Sequence, residues 1–461
     1  MATIEKRGDG YRITVACGVD ITGKQIRRRM TWIPESGLTS KQLEKELNKQ
    51  AVLFEEQCAQ GLVTDGNIKF SVFAADWLQH KKHELRPKTY ARYEGMLPRV
   101  NAAIGHMRLD RIQPRHLMTF YENLAEADIR LDTKYACTVD LSDYLTKNKL
   151  SKAAFARACD IPVSTLSTVI QKGHCSRATA EKISKGLALP LSQAFKPLDS
   201  GKALSQKTVL HHHRLISTML RSAVEWGLLF SNPCDRVKPP RVERTEPRYL
   251  DEKQAATLLN LLETERADYR AMIRLLLFTG LRRGELLGLK WIDIDFDTSV
   301  MHVCRSTQYL PKRGVYEDDT KNTTSNRFIK LSKTAVEDLK RHRVFQMERQ
   351  LAMGDRWHDT GYIFTGEEGK PLHPDTLTSW FSSFIKAHSD VLPYISVHSL
   401  RHTNATLQIA GGVPLTTVAK RMGHADTVTT SKIYAHAIKS ADEAAAETLE
   451  NLLTPTQNRT A

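Results

Sequence analysis

Helical patterning in this chain stops near residue 131 and resumes at residue 204, and the stretch between reads as a small helical domain of its own. Before the break, apolar residues at helical spacing predict helices over Phe70–Lys82, Thr89–Ile104 and Pro114–Ala127. After it, one long helix follows the Leu204-Ser-Gln-Lys-Thr-Val segment and ends at Trp226-Gly227, with Asn232-Pro233 closing the turn. Between them, Leu141–Lys149, Lys152–Cys159, Ser164–Lys172 and Ala178–Leu187 predict four short helices; Asp160-Ile-Pro162 makes a turn and Gly173 stops the third helix. A domain interrupted in this way keeps the two ends of its insert close together. Residues 68–134 and 200–236 are therefore expected to form one split helical domain, with 135–199 inserted into it.

Residues 3–34 alternate in strand fashion through Tyr11-Arg-Ile-Thr-Val-Ala-Cys and Lys24-Gln-Ile-Arg-Arg-Arg-Met-Thr-Trp, and 39–60 read as a helix closed before Gly61. This predicts a small sheet-plus-helix domain over 1–62. Val237-Lys-Pro-Pro-Arg-Val-Glu-Arg244 is a stiff basic stretch, expected as a linker over 237–248. The domain beyond it is expected to end at 453, leaving 454–461 as a tail. With 461 residues the chain has room for about three domains, and the expected class is mainly α with small β-sheets.

Sixty-seven Lys and Arg against 52 Asp and Glu give a net charge of +15, which favours a polyanion partner. A membrane surface is not expected: there is no basic amphipathic segment, lipidation motif, apolar signal core or membrane-spanning apolar run. The seven cysteines are scattered, with no Cys-x-x-Cys, and read as small buried hydrophobes in a reducing compartment. His211-His212-His213 sit on a predicted helix, where neighbours point about 100° apart and cannot close on one metal ion.

Chemistry concentrates in the last half. His398-Ser-Leu-Arg401-His402-Thr is followed by Gly423-His424 and then by Tyr434 within Lys-Ile-Tyr-Ala-His. Upstream lie Thr279-Gly-Leu-Arg282-Arg-Gly-Glu285-Leu and Lys321 in Lys-Asn-Thr-Thr-Ser-Asn-Arg327. Together they offer what attack on a phosphodiester needs: an oxygen nucleophile, positive charge for the non-bridging oxygens, and an acid for the leaving group. Neither a nucleotide-binding loop nor a metal-ligand cluster accompanies them.

On these residues the chain resembles the tyrosine recombinases of the phage-integrase family. The resemblance implies a mixed α+β catalytic domain over 249–453. It makes Tyr434 the nucleophile, forming a 3′-phosphotyrosyl bond, with Arg282, Arg401 and His424 stabilising the transition state. It also makes Lys321 the acid for the departing 5′ oxygen and His398 the group that takes the tyrosine proton. Asn322 stands where the family usually has threonine after that lysine. Arg283 is expected to face solvent, His402 to pack off the His398–Arg401 face, and Glu285 to partner an arginine or to lie on the helix surface. Positioned cations replace Mg²⁺ in this reading, so no metal and no cofactor are expected.

The N-terminal domain is similar to integrase arm-binding domains, with Arg27, Arg28 and Arg29 suited to a sheet in the major groove. The split domain resembles the integrase core-binding domain, and Lys238 and Arg241 lie on a linker that would cross the DNA backbone. The insert, with nine Lys and Arg against four Asp and Glu over 135–198, resembles a Cro/CI-type helix-turn-helix. Ser164, Thr165, Ser167, Thr168 and Gln171 would face DNA from its recognition helix; a protein-contact or purely structural insert is the rival. The family implies attachment-site double-stranded DNA, a homotetramer exchanging strands through a Holliday junction, accessory bending or directionality factors, and a nucleoid-associated place in the bacterial cytoplasm. Ala441–Leu453 would dock on a neighbouring subunit or fold back on its own domain. A type IB topoisomerase and a transcriptional regulator using the helix-turn-helix are the alternatives.

Overall fold

The computed structural model describes residues 2–19, 25–34, 39–59, 67–126, 133–198, 203–243, 246–319, 326–424 and 430–431. The chain divides into two compact units, Met1–Glu243 and Arg244–Ala461.

The first unit opens with a three-stranded antiparallel sheet, β1 (Thr3–Arg7), β2 (Gly10–Val19) and β3 (Gln25–Trp32), followed by α1 (Ser40–Ala59). Period-2 alternation buries Ile13 and Val15 of β2 against Ala51 and Phe54 of α1. The same alternation splits the arginine run of β3. Arg27 and Arg29 are exposed, whereas Arg28 is half-buried on the other face, where its charge acts on Cys58 of α1. Three consecutive strand residues cannot share a face, so the expected trio reduces to two outward arginines.

Helices α2 (Phe70–His80), α3 (Pro87–Ile104) and α4 (Pro114–Ala125) then pack with the long α10 (Gln206–Glu225) around one core that includes Phe70, Trp77, Leu117, Leu215 and Met219. Pro87 and Pro114 open their helices at a position where the missing N–H costs nothing. Ser205 caps α10 through the Thr208 amide. Val237, expected at the start of the linker, is buried in this core.

Residues 133–198 hold a separate core around Phe155, Leu166, Ile183 and Phe195. Its helices are α5 (Leu141–Lys147), α6 (Lys152–Ala158), α7 (Val163–Lys172), α8 (Arg177–Gly186) and the short α9 (Leu191–Ala194). Asp140, Ser151 and Ser176 cap α5, α6 and α8. Between α6 and α7, Asp160 has φ +51° and an ion pair with Lys182 at 2.8 Å, so aspartate carries the left-handed turn.

The sequence did not predict the sheet that closes this module. Strand β4 (Lys134–Cys137) pairs antiparallel with both β5 (His174–Ser176) and β6 (Phe195–Pro197). Leu198 donates its N–H to Lys134 O at 2.8 Å, so entry and exit strands lie side by side. Deleting 135–199 and bridging the gap with a short flexible linker should leave the α2–α4/α10 core with a cooperative urea transition. Loss of that transition would show the module to be part of the flanking core.

In the second unit, α11 (Glu252–Leu261), α12 (Ala267–Thr279), α14 (Lys333–Met353), α15 (Pro374–Ala387) and α16 (Val397–Ala410) contribute to a large core. Among the described residues there are also two short helices, α13 (Arg283–Leu287) and α17 (Leu415–Met422). Strands β7 (Ile294–Asp295), β8 (Val300–Val303) and β11 (Arg327–Lys330) form one antiparallel sheet, and β9 (Arg305–Leu310) with β10 (Gly314–Asp319) form a hairpin. Trp291–Asp293 is a 3₁₀ turn, after which only Ile294 and Asp295 are extended. Among the described residues, no helix is long and apolar enough to cross a membrane.

Candidate active site

Helix α12 is buried nearly all round and ends at Gly280, whose φ of +67° is left-handed. A side chain there would also meet Asn404 Oδ1 at 2.7 Å, and Asn404 is itself fixed by donating to Leu277 O. This exit delivers Arg282 as the N-cap of α13, with its backbone N–H on Glu285 Oε2 and its Nη1 on Glu285 Oε1 at 2.7 Å. A second left-handed glycine, Gly423 with φ +64°, ends α17 and turns the chain into His424.

Arg401 joins the two exits. It is 3 % exposed; Nη1 donates to Gly280 O and Nη2 to Met422 O, both at 2.6 Å. Nη2 also lies 2.9 Å from His424 Nε2, while His424 Nδ1 is 2.7 Å from Thr430 Oγ1. Arg282 Nη2 reaches Gly423 O at 3.4 Å. Arg282, Arg401 and His424 therefore meet around the two helix ends, whose carbonyls hold the guanidiniums.

Burial, then Arg401, then Arg282 and Arg327, push the His424 pKa down to about 4. The ring is neutral near pH 7, so Nε2 accepts from Arg401 and Nδ1–H donates to Thr430. His398, on the first turn of α16, keeps part of its surface open to solvent, while desolvation of the rest of the ring, then Arg401 and Arg282, lower its pKa. His402 packs edge-on against it, ring centroids 4.8 Å apart, and burial and His398 push the His402 pKa down to about 4. A neutral imidazole is in the right form to accept a proton.

Glu285 is 3 % exposed, which decides between its two expected roles in favour of an arginine partner. It binds Arg282 through Oε1 and Arg327 Nη2 through Oε2 at 2.9 Å. Burial works against its charge, yet Arg327 and then Arg282 hold the carboxyl below its usual range. Arg327 also donates from Nε to Arg421 O at 2.7 Å, tying β11 to the α17 turn. Its role went unread in the sequence, although it is the last residue of the Lys321 motif. Arg283, expected in solvent, instead bonds Pro374 O, Asp375 and Thr378 of α15. It follows Arg282 by one residue and so points to the opposite flank of α13.

Lys321 and Tyr434 lie outside the described residues. Of the expected DNA-facing residues, Ser164 and Gln171 are exposed on α7 and Thr165 and Ser167 half-buried; Lys238 and Arg241 are exposed. Among the described residues Asp293, His302 and Cys304 form a possible metal-ligand group. Arg305 and the Lys290 amide already occupy the Asp293 carboxylate, and Asn326 Oδ1 lies 2.6 Å from His302 Nε2. A cation there would have to displace an arginine.

Residues 248–441 match the model of the phage integrase family, and 69–125 that of the phage integrase N-terminal SAM-like domain. The chain is 31 % identical over 265 residues to a tyrosine recombinase XerC-like protein of Caldanaerobacter subterraneus, covering 54 % of this chain and 67 % of that one. It is 30 % identical over 251 residues to the ICEBs1 integrase of Bacillus subtilis, with the same coverage of each. In fold it is similar to the Tn1549 transposon integrase solved with circular intermediate DNA: TM-score 0.56, 17 % identity, 83 % of this chain and 99 % of that one. These relatives favour neither the topoisomerase nor the regulator alternative. The chain belongs to the phage integrase family and is a tyrosine site-specific recombinase.

Proposed function

We propose that the convergence of Arg282, Arg401 and His424 is the phosphate clamp of a DNA strand-transfer site, and that the chain integrates and excises a mobile element. The observation that carries this reading is the joint anchoring of both guanidiniums on the α12 and α17 ends, beside a neutral imidazole. Tyr434 attacks the scissile phosphorus, forming a P–O bond to the phenol and breaking the bond to the 5′ oxygen. The phenol proton passes to His398, and Lys321 gives a proton to the 5′ oxygen, which leaves as a hydroxyl. The phosphotyrosyl ester keeps the energy of the broken ester, so rejoining is the reverse step with a new 5′ hydroxyl.

The proposed partner is attachment-site double-stranded DNA, bound by a homotetramer in the bacterial cytoplasm with accessory bending or directionality factors. Arg27 and Arg29, together with Lys238 and Arg241, are assigned to backbone contacts, and α7 to DNA through Ser164 and Gln171. With that assignment, the 135–199 deletion should flatten the salt dependence of binding to long site-containing duplexes, since fewer phosphates are contacted. Cleavage of a minimal core site should barely change. An unaltered salt slope on every duplex would leave the module a protein-contact or structural role.

The mechanism is tested at Lys321. Lys321→Ala should be crippled on ordinary DNA but should recover cleavage when sulfur replaces the leaving 5′ oxygen, because a thiolate departs without a proton. Equal impairment on both substrates would move the acid elsewhere, with Lys312 the first alternative.

A further inference from the structure

The apolar stripes of β2 and α1 end on the same residue type. On β2, period-2 alternation turns Ile13, Val15 and Cys17 toward the helix. On α1, Leu47, Ala51, Phe54 and Cys58 recur at the three- and four-residue spacing of one helix face. The two stripes pack into one small core, and at its end the thiols of Cys17 and Cys58 share a hydrogen bond. Both cysteines are free and only half-buried, so small solutes can reach them.

This core is slight. Its fully buried members among the described residues are Ile13, Val15, Ala51 and Phe54. A domain of about 60 residues buries little apolar surface for its length and commonly relies on a cross-link or a metal for added stability. A bond between Cys17 and Cys58 would join β2 to the last turn of α1 and close a loop of about 40 residues, long enough to constrain the opened chain strongly.

The groups around the pair set its pace. Burial and then Cys17 push the Cys58 thiol up to about 11, with Arg28 opposing and Glu55 adding to the shift. Cys58 is therefore protonated near pH 7 and a slow nucleophile there.

We propose that Cys17 and Cys58 are an oxidative modification site, at which a low-molecular-weight disulfide such as oxidised glutathione forms an intramolecular bond that clasps α1 to β2 and stiffens the N-terminal domain. One cysteine, as thiolate, attacks the small disulfide, forming a mixed disulfide and expelling one small thiolate. The second cysteine then attacks the protein sulfur of that mixed disulfide and expels the other. The two cysteines are oxidised, the small disulfide is reduced to two thiols, and these take up the two protons released. In a reducing compartment the pair stays open; it closes when the thiol–disulfide balance shifts. The proposal uses no residue of the second unit and is independent of the recombinase reading.

The rival pair is Cys137 and Cys175, which pack against the core of the 133–198 module from β4 and β5. The test therefore uses the full chain, reduced and then equilibrated with oxidised glutathione, beside Cys17→Ala, Cys58→Ala and Cys137→Ala. Unreduced digests are mapped by mass spectrometry, and amide exchange is followed over Gly10–Val19 and Ser40–Ala59. The wild type and Cys137→Ala should yield a cross-linked Cys17–Cys58 peptide and exchange about tenfold or more slowly in both segments, because the clasp restricts the opened state. Dithiothreitol should restore the reduced rates. Cys17→Ala and Cys58→Ala, shown to be folded by their exchange when reduced, should not slow.

Digests in which Cys17 and Cys58 are only free or carry glutathione overturn the proposal, as does a cross-link between Cys137 and Cys175 in their place. A Cys17–Cys58 bond that leaves exchange unchanged in both segments overturns it too, since the bond would then clasp nothing that opens.

Discussion

Tyr434→Phe should bind its DNA site with unchanged affinity and form no covalent protein–DNA product. Only the nucleophilic oxygen is lost; the aromatic ring is kept. The clamp of Arg282, Arg401 and His424 does not depend on that hydroxyl, because its hydrogen bonds go to Gly280 O, Met422 O, Gly423 O and Thr430. With Tyr434 as the nucleophile, the loss should be complete within detection, not merely a slower rate. The check is a denaturing gel of protein incubated with suicide substrates nicked beside the cleavage point. A retarded, protease-sensitive adduct from the phenylalanine variant would move the nucleophile to another tyrosine.

Where residues belong to one ordered motif set, the sequence was enough to expect them together. Arg282, Arg401 and His424 were named from Gly-Leu-Arg, His-x-x-Arg and Gly-His, and the structure brings those three together. What holds them was not legible. Nothing in the chain announces that Asn404 packs under Gly280, or that Arg327 of β11 shares Glu285 with Arg282 from 42 residues away. Those are long-range contacts, set by how α12, α16 and β11 are stacked.

Local patterns divided in the same way. Helix bounds over 141–187 were readable to within a residue or two, because Asp140, Ser151 and Ser176 cap three of the helices and Gly173 ends another. Strands β4, β5 and β6 span only three or four residues each, too few for alternation to register, and their pairing joins Tyr135 to Pro197. The Arg27–Arg29 run was read as a block of charge, where the strand period sends Arg28 to the α1 face. Arg283 was misread for the converse reason: its partners Asp375 and Thr378 lie more than 90 residues on.

Arg401→Met should cost both chemistry and stability, and the two losses are separable. For chemistry, deleting one well-placed donor to a developing oxyanion typically slows the reaction about 10²–10³-fold. For stability, Gly280 O and Met422 O each lose a charged donor at a nearly buried site. An orphaned carbonyl there costs about 1–3 kcal/mol. The charge leaves a further trace in the pH dependence.

His424 is held near 4 in the folded protein against 6.5 in the open chain, with Arg401 the largest contributor after burial. A histidine depressed in this way favours the folded state fully above pH 6.5, and that contribution is lost as pH falls from 6.5 toward 4, because the unfolded chain takes up the proton first. Without Arg401 the His424 pKa rises toward its ordinary value and the window narrows. Urea melts should therefore show a variant that is less stable than wild type at pH 7, yet loses less further stability between pH 6.5 and 4. A variant with wild-type stability at pH 7 and an unchanged acid limb would mean that Arg401 does not hold the α12 and α17 ends together. The clamp geometry would then have to be set by DNA itself.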